Sequence, residues 1–80
     1  MGDPYAFSAG DTLRLEEYMD VQLVSEPRLW PILPPGSIII ILGEVSPMNV
    51  NWIGVYRALS DELGMIMYHQ TSRDKVTRLA

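Results

Sequence analysis

The sequence predicts an all-β domain in which five short strands form a small barrel, with a long proline-rich loop after the first strand. Apolar and polar residues alternate from Thr12 onward, a proline-rich segment follows, and further short apolar segments are separated by turn residues. Short strands with a hairpin third in order are typical of small barrels. The 80 residues have room for one such domain, residues 11–80, preceded by an irregular arm over residues 1–10.

The first predicted strand covers the alternating segment between residues 12 and 23. Apolar residues occupy nearly every second position there, and Glu17 alone breaks the alternation, which is the pattern of a half-buried strand. A helix is the alternative, because Asp11 is a suitable N-cap and several apolar residues share one helical face: Leu15, Tyr18, Met19 and Leu23. The longer alternation favours the strand.

Residues 26–36 are predicted to form a stiff, extended loop. They contain four of the six prolines, namely Pro27, Pro31, Pro34 and Pro35. Proline lacks the amide hydrogen and biases its predecessor towards extended geometry, so neither a helix nor a central strand fits this segment.

The remaining strands follow in close succession. Residues 38–45 form a continuous, largely β-branched run, which predicts a strand covered on both faces with a bulge or bend at Gly43. A turn over residues 46–51 leads into a hairpin whose strands span residues 52–59 and 65–70, joined by the turn at residues 60–64. Residues 76–79 form a short closing strand.

The framework of these strands resembles that of SH3-like barrels. The resemblance rests on four segments, PGSIIIIL at 35–42, WIG at 52–54, GMI at 64–66 and VTRL at 76–79, with residues 11–24 as the first strand. In SH3-like domains the residues matching Gly54 and Ile66 face the core. The resemblance therefore implies that a second set of side chains projects outward from the hairpin: Ile53, Val55, Met65 and Met67.

This outward apolar set predicts self-association. A monomeric antiparallel barrel normally alternates between apolar residues inside and polar residues outside, and monomers rarely leave such patches uncovered. The cover is either a second subunit or a segment of the same chain, the proline-rich loop or the N-terminal arm. We expect a homo-oligomer that acts as a protein–protein interaction or assembly module, with another protein as a possible partner.

Peptide recognition is a different function that the resemblance implies, because SH3 domains bind proline-rich peptides in an aromatic groove. Trp52, Tyr56 and Tyr68 would supply that groove if they face outward, although Asn51 and Met67 replace two of its usual residues. The segment 28–34 is, conversely, a possible ligand of such domains. The alternative is that its prolines stiffen a loop while Trp30 and Leu33 pack on the barrel.

Nucleic-acid binding is implied by the related Sm-like barrels, which assemble into rings that bind RNA. Candidate contacts are the basic residues Arg57, Arg73, Lys75 and Arg78. The formal net charge of −4 opposes phosphate binding, and the nucleotide-binding motifs of that family are not found. Nucleic acid is therefore not the expected partner.

The composition gives no indication of catalysis. There is no cysteine and His69 is the single histidine, so one chain holds neither a catalytic triad nor a two-histidine metal site. We expect no enzyme activity, no cofactor and no metal. Without a signal sequence or a long apolar run, the expected location is the cytoplasm, or a host cell if the protein is viral. Small acidic barrels of this kind also resemble orphan phage proteins.

Overall fold

The computed structural model describes residues 7–46, 54–70 and 75–79. In these ranges the chain forms eight strands and no α-helix, which confirms the all-β prediction. The strands are β1 (Thr12–Leu15), β2 (Met19–Asp20), β3 (Gln22–Leu23), β4 (Ile32–Leu33), β5 (Ile38–Ser46), β6 (Gly54–Ser60), β7 (Gly64–Gln70) and β8 (Val76–Arg78).

Six of the strands form one antiparallel sheet in the order β3-β7-β6-β5-β1-β8, and β2 pairs with β4 in a separate two-stranded sheet. Across the described residues the larger sheet is not closed, and eight strands replace the predicted five. The closed five-stranded barrel accordingly stays a prediction. The additional strands all come from the segment between β1 and β5.

The first predicted strand is divided into β1, β2 and β3. β1 and β2 are separated by Glu16, Glu17 and Tyr18, which are exposed, so the polar interruption at Glu17 coincides with a bend. Val21 alone separates β2 from β3. The predicted alternation nevertheless continues through the bend in the burial pattern, with four buried side chains on one side: Leu13, Leu15, Met19 and Val21. The helical alternative is wrong for this segment.

The proline-rich segment is more ordered than the predicted loop. Met19 pairs with Leu33, and the pairing continues as Val21 N–H and Leu23 N–H donate to the carbonyls of Pro31 and Leu29. The other edge of the same ribbon pairs with β7 through β3. Residues 19–33 thus form a ribbon that covers the edge of β7. Leu33 is buried in the core, as expected for a loop that packs on the domain.

β5 contains the predicted irregularity at Gly43. The register with β6 shifts between Ile41 and Gly43 and again between Glu44 and Ser46. The prediction that this strand is covered on both faces is wrong, because Ile40, Leu42 and Val45 are exposed. β5 lies inside the sheet, but only its inward side chains reach the core.

A tight turn joins β6 to β7 where the hairpin was predicted. Gly64 closes it with a φ of 75°, a left-handed conformation that side chains disfavour. Ser60 supports the turn, since its Oγ accepts hydrogen bonds from the backbone N–H groups of Glu62 and Leu63. The turn fixes the register Ser60 with Gly64 and Leu59 with Met65.

The core is a single cluster on one side of the large sheet, completed by the ribbon. Its members are Leu13, Leu15, Met19, Val21, Leu33, Ile39, Ile41, Tyr56, Ala58, Ile66 and Tyr68. The described end of the N-terminal arm packs on this cluster through Phe7, whose ring centroid lies 5.3 Å from that of Tyr56. The arm is therefore part of the packed structure from Phe7 onward.

Candidate interaction surface

The side of β5, β6 and β7 that points away from the core carries a row of apolar side chains, which we call the outer row. Ile40 lies directly opposite Leu59, and Leu59 lies directly opposite Met65. These three side chains are 40%, 43% and 46% exposed. Directly opposed side chains on one face of a sheet are in contact distance, so the outer row is one continuous apolar strip across three strands.

The strand period explains why these residues project outward. On β6 the side chains of Tyr56, Ala58 and Ser60 are buried, so the intervening residues face the other side of the sheet. On β7 the buried residues are Ile66, Tyr68 and Gln70, and Met65 is exposed. Both strands thus place alternate residues in the core and leave apolar residues on the outer face.

The first bulge of β5 widens the apolar surface. Leu42 is the extra residue between the pairs Ile41–Ala58 and Gly43–Arg57, and it is exposed. It lines a shallow groove together with five other residues: Gly43, Glu44, Val45, Arg57 and Met65. The groove adjoins the outer row at Met65, so the exposed apolar area extends from Ile40 to Leu42.

Arg57 is the basic residue of this surface. It is exposed and lies opposite Gly43 on one side and Met67 on the other. The ion pairs formed among the described residues, Arg14 with Glu16 and Arg78 with Asp11, involve other cations. The surface is therefore apolar, with the cation Arg57 and the anion Glu44 at the groove beside it.

Of the four residues predicted for an oligomer interface, the structure exposes Met65 and leaves Met67 half-buried. Val55 is 6% exposed although it lies outside the core cluster, so it is not available as an outward contact on this chain. Ile53 lies outside the described residues. The sequence analysis did not identify Ile40, Leu42 or Leu59 as interface residues. The register of the hairpin would have indicated Leu59, because it places Leu59 directly opposite Met65.

The ribbon covers the other end of the outer face. The Trp30 ring lies 4.9 Å from the His69 ring, centroid to centroid, and His69 is directly opposite Val55. Burial lowers the pKa of His69 below its usual value. The proline-rich segment thus covers the His69 end of β7, which corresponds to the alternative cover by a segment of the same chain, and leaves the Met65 side chain exposed.

Two of the three aromatic residues proposed for peptide binding, Tyr56 and Tyr68, do not face outward. Tyr56 is 2% exposed and Tyr68 is 0% exposed, because both occupy the inward positions of their strands. Their rings lie 6.4 Å apart, and the Tyr68 hydroxyl donates to Oε1 of Gln70. Burial raises the pKa of Tyr68 well above its usual value. The condition for a peptide groove is therefore not met at either tyrosine, and Trp52 lies outside the described residues.

The structure does not bring together Arg57 and Arg78, two of the four basic residues proposed for nucleic-acid contact. Arg78 lies on β8, where its guanidinium is 3.6 Å from the Asp11 carboxylate and 5.3 Å from the Phe7 ring centroid. Arg57 is three strands away, which is about 14 Å at the usual spacing of neighbouring strands. Lys75 is half-buried, and Arg73 lies outside the described residues.

Over the described ranges, no three histidine, cysteine or acidic residues are grouped as metal ligands would be. In the same ranges there is no helix long and apolar enough to cross a bilayer. Comparisons of the chain with protein-family models, with curated proteins and with solved structures find no match to any of them.

Proposed function

We propose that this protein is a non-enzymatic interaction module that associates with further copies of itself through the outer row. The observation that carries the proposal is the continuous exposed strip formed by Ile40, Leu59 and Met65 across three neighbouring strands. Scattered apolar residues on a surface need no explanation, whereas a contiguous apolar patch is typical of an interaction site.

The size of the effect agrees with association that depends on concentration. Complete burial of a large aliphatic side chain contributes about 1.5–3 kcal/mol, so covering the exposed part of each side chain contributes about 1 kcal/mol. Three residues of the outer row and Leu42, counted on both copies, then contribute about 8 kcal/mol. The loss of translational and rotational freedom costs about 4–15 kcal/mol. At the lower end of that cost the balance is about −4 kcal/mol, which corresponds to a dissociation constant of about 1 mM. We expect a weak dimer that becomes populated at several hundred micromolar protein.

We further propose an SH3-like barrel as the architecture of the module. Its support is the order of β8, β1, β5, β6 and β7 in one antiparallel sheet. Each of these strands falls within or close to one of the five predicted strand segments. The ribbon at residues 19–33 includes most of the long loop predicted at residues 26–36.

Sedimentation velocity over a concentration range up to several hundred micromolar tests the proposal. The wild type is expected to shift from monomer to dimer, and Leu59→Glu is expected to stay monomeric, because the substitution places a charge in the middle of the outer row. Ile32→Glu is the matched control, since Ile32 is exposed and apolar but lies on β4. A wild type that remains monomeric throughout, or a Leu59→Glu variant that associates as the wild type does, contradicts the proposal.

A further inference from the structure

Methionine is the residue type of this chain that is most readily oxidised. The sequence contains five methionines and no cysteine, so no thiol is present to react with a peroxide first. Oxidation converts the flexible, apolar methionine side chain into a polar sulfoxide, which disrupts the cores and interfaces that contain it. The effect of a peroxide on this protein therefore depends on where its methionines lie.

The three methionines in the described part of the chain differ in exposure. Met19 is 4% exposed and belongs to the core cluster. Met67 is half-buried on β7, between Arg57 on β6 and Gln22 on β3. Met65 is 46% exposed and lies next to the turn that joins β6 to β7. A side chain at the surface meets a dissolved oxidant more often than a buried one, so Met65 is expected to react first of the three.

Met65 also belongs to the surface on which the proposed association depends. It lies directly opposite Leu59 in the outer row, and it lines the groove that Leu42 forms beside that row. A sulfoxide oxygen at this position binds water, and this water must be removed when a second copy covers the strip. Removal is unfavourable, because a polar group that is buried without a new hydrogen bond loses free energy of hydration. Oxidation of Met65 therefore opposes association while the core stays intact.

We propose that Met65 is an oxidation site, and that its conversion to the sulfoxide by hydrogen peroxide dissociates the dimer. In this reaction a lone pair of the Met65 sulfur attacks one oxygen of the peroxide. The O–O bond breaks, an S–O bond forms, and a proton shift releases the second oxygen as water. The electron pair that the sulfur gives up reduces the peroxide, so no further reactant is needed. This inference rests on the proposed self-association and adds a means of regulating it.

Mild treatment with hydrogen peroxide, followed residue by residue with peptide mass spectrometry, tests the site. Met65 is expected to be oxidised before Met67, and both before Met19. Sedimentation velocity of the same samples at several hundred micromolar protein is expected to show a dimer dissociation constant raised by about tenfold or more. Reduction of the sulfoxide by methionine sulfoxide reductases is expected to restore the dimer.

Met65→Leu isolates the site, because leucine has nearly the same volume as methionine and does not react with peroxide. The variant keeps the other four methionines, including Met1 and Met48, which lie outside the described residues. It is expected to associate within a few-fold of the wild type both before and after treatment. Met67→Leu is the matched control. It keeps Met65, so peroxide is expected to weaken its association as in the wild type.

Three results would overturn the inference. Met65 reacts no faster than Met19, or a protein fully oxidised at Met65 associates as the untreated protein does, or treated Met65→Leu loses association as the wild type does. In each of these cases a dimer that Leu59→Glu disrupts keeps the proposed function. A wild type that is monomeric before treatment removes both.

Discussion

His69, the single histidine of the chain, illustrates how one side chain reports on the packing around it. It lies half-buried on the outer side of β7 against the Trp30 ring, and burial lowers its pKa. The unfolded chain therefore binds a proton at His69 at a higher pH than the folded chain does. As the pH falls below 6.5, the pKa of the histidine in the unfolded chain, protonation stabilises the unfolded chain relative to the folded one. This loss of stability ends once the pH is below the lowered pKa of the folded protein.

We predict that the wild type loses more stability between about pH 8 and about pH 5 than His69→Gln does. Carboxylates titrate in both proteins, so the difference between the two profiles isolates the histidine. Urea denaturation followed by fluorescence at several pH values measures the free energy of unfolding. Parallel profiles would mean that the folded protein does not hold His69 away from water.

The sequence predicted which side chains of the first strand are buried more accurately than it predicted where the strands begin and end. The alternation of apolar residues identified Leu13, Leu15, Met19 and Val21, and all four are buried. Alternation could not identify the inward side of the hairpin, since both sides of β6 and β7 are apolar. The inward positions of Tyr56 and Tyr68 depend on the cluster they share with Phe7, and such contacts are distant in sequence.

The ribbon at residues 19–33 is the element whose structure departs most from expectation. The prolines correctly excluded a helix from this segment. β4, however, forms because Leu33 pairs with Met19 across the ribbon. β3 forms because Gln22 and Leu23 pair with β7. Two-residue strands of this kind have no periodic pattern of their own. They follow from tertiary pairing, which composition and spacing do not reveal.

We predict that Leu33→Ala lowers the free energy of unfolding by about 2–4 kcal/mol, because Leu33 fills part of the core and truncation leaves a cavity. The neighbouring substitution Ile32→Ala on the same strand is expected to cost about 0.5 kcal/mol or less, because Ile32 is exposed. Chemical denaturation of both variants checks the contrast. Equal losses would indicate that the ribbon does not dock through Leu33.

Considered as a whole, the molecule is as compact as one domain of its length should be, and this bears on its stability. Its radius of gyration is 11.4 Å, close to the roughly 11.6 Å expected for a chain of this length. A domain of this size has a small core, so apolar residues left on the surface represent stabilisation that only another molecule can recover. Association and thermal stability should therefore be linked.

We predict that the melting temperature of the wild type rises by about 1 °C as the protein concentration is raised a hundredfold to several hundred micromolar, because the dimer stabilises the folded state by mass action. Leu59→Glu is expected to melt at a temperature that does not change with concentration. Differential scanning fluorimetry at several concentrations measures both. If the melting temperature of the wild type does not change with concentration, association does not stabilise the folded protein and the prediction is wrong.

The prolines of the ribbon have a consequence for what the protein can build. β4 is flanked by Pro31 and Pro34, which have no amide hydrogen, and within the described residues its far edge has no partner strand. β4 is two residues long and ends just before Pro34, so it offers an added strand few hydrogen-bonding groups, and sheet extension from molecule to molecule is disfavoured there. Growth into a fibre by strand addition is therefore disfavoured at this edge.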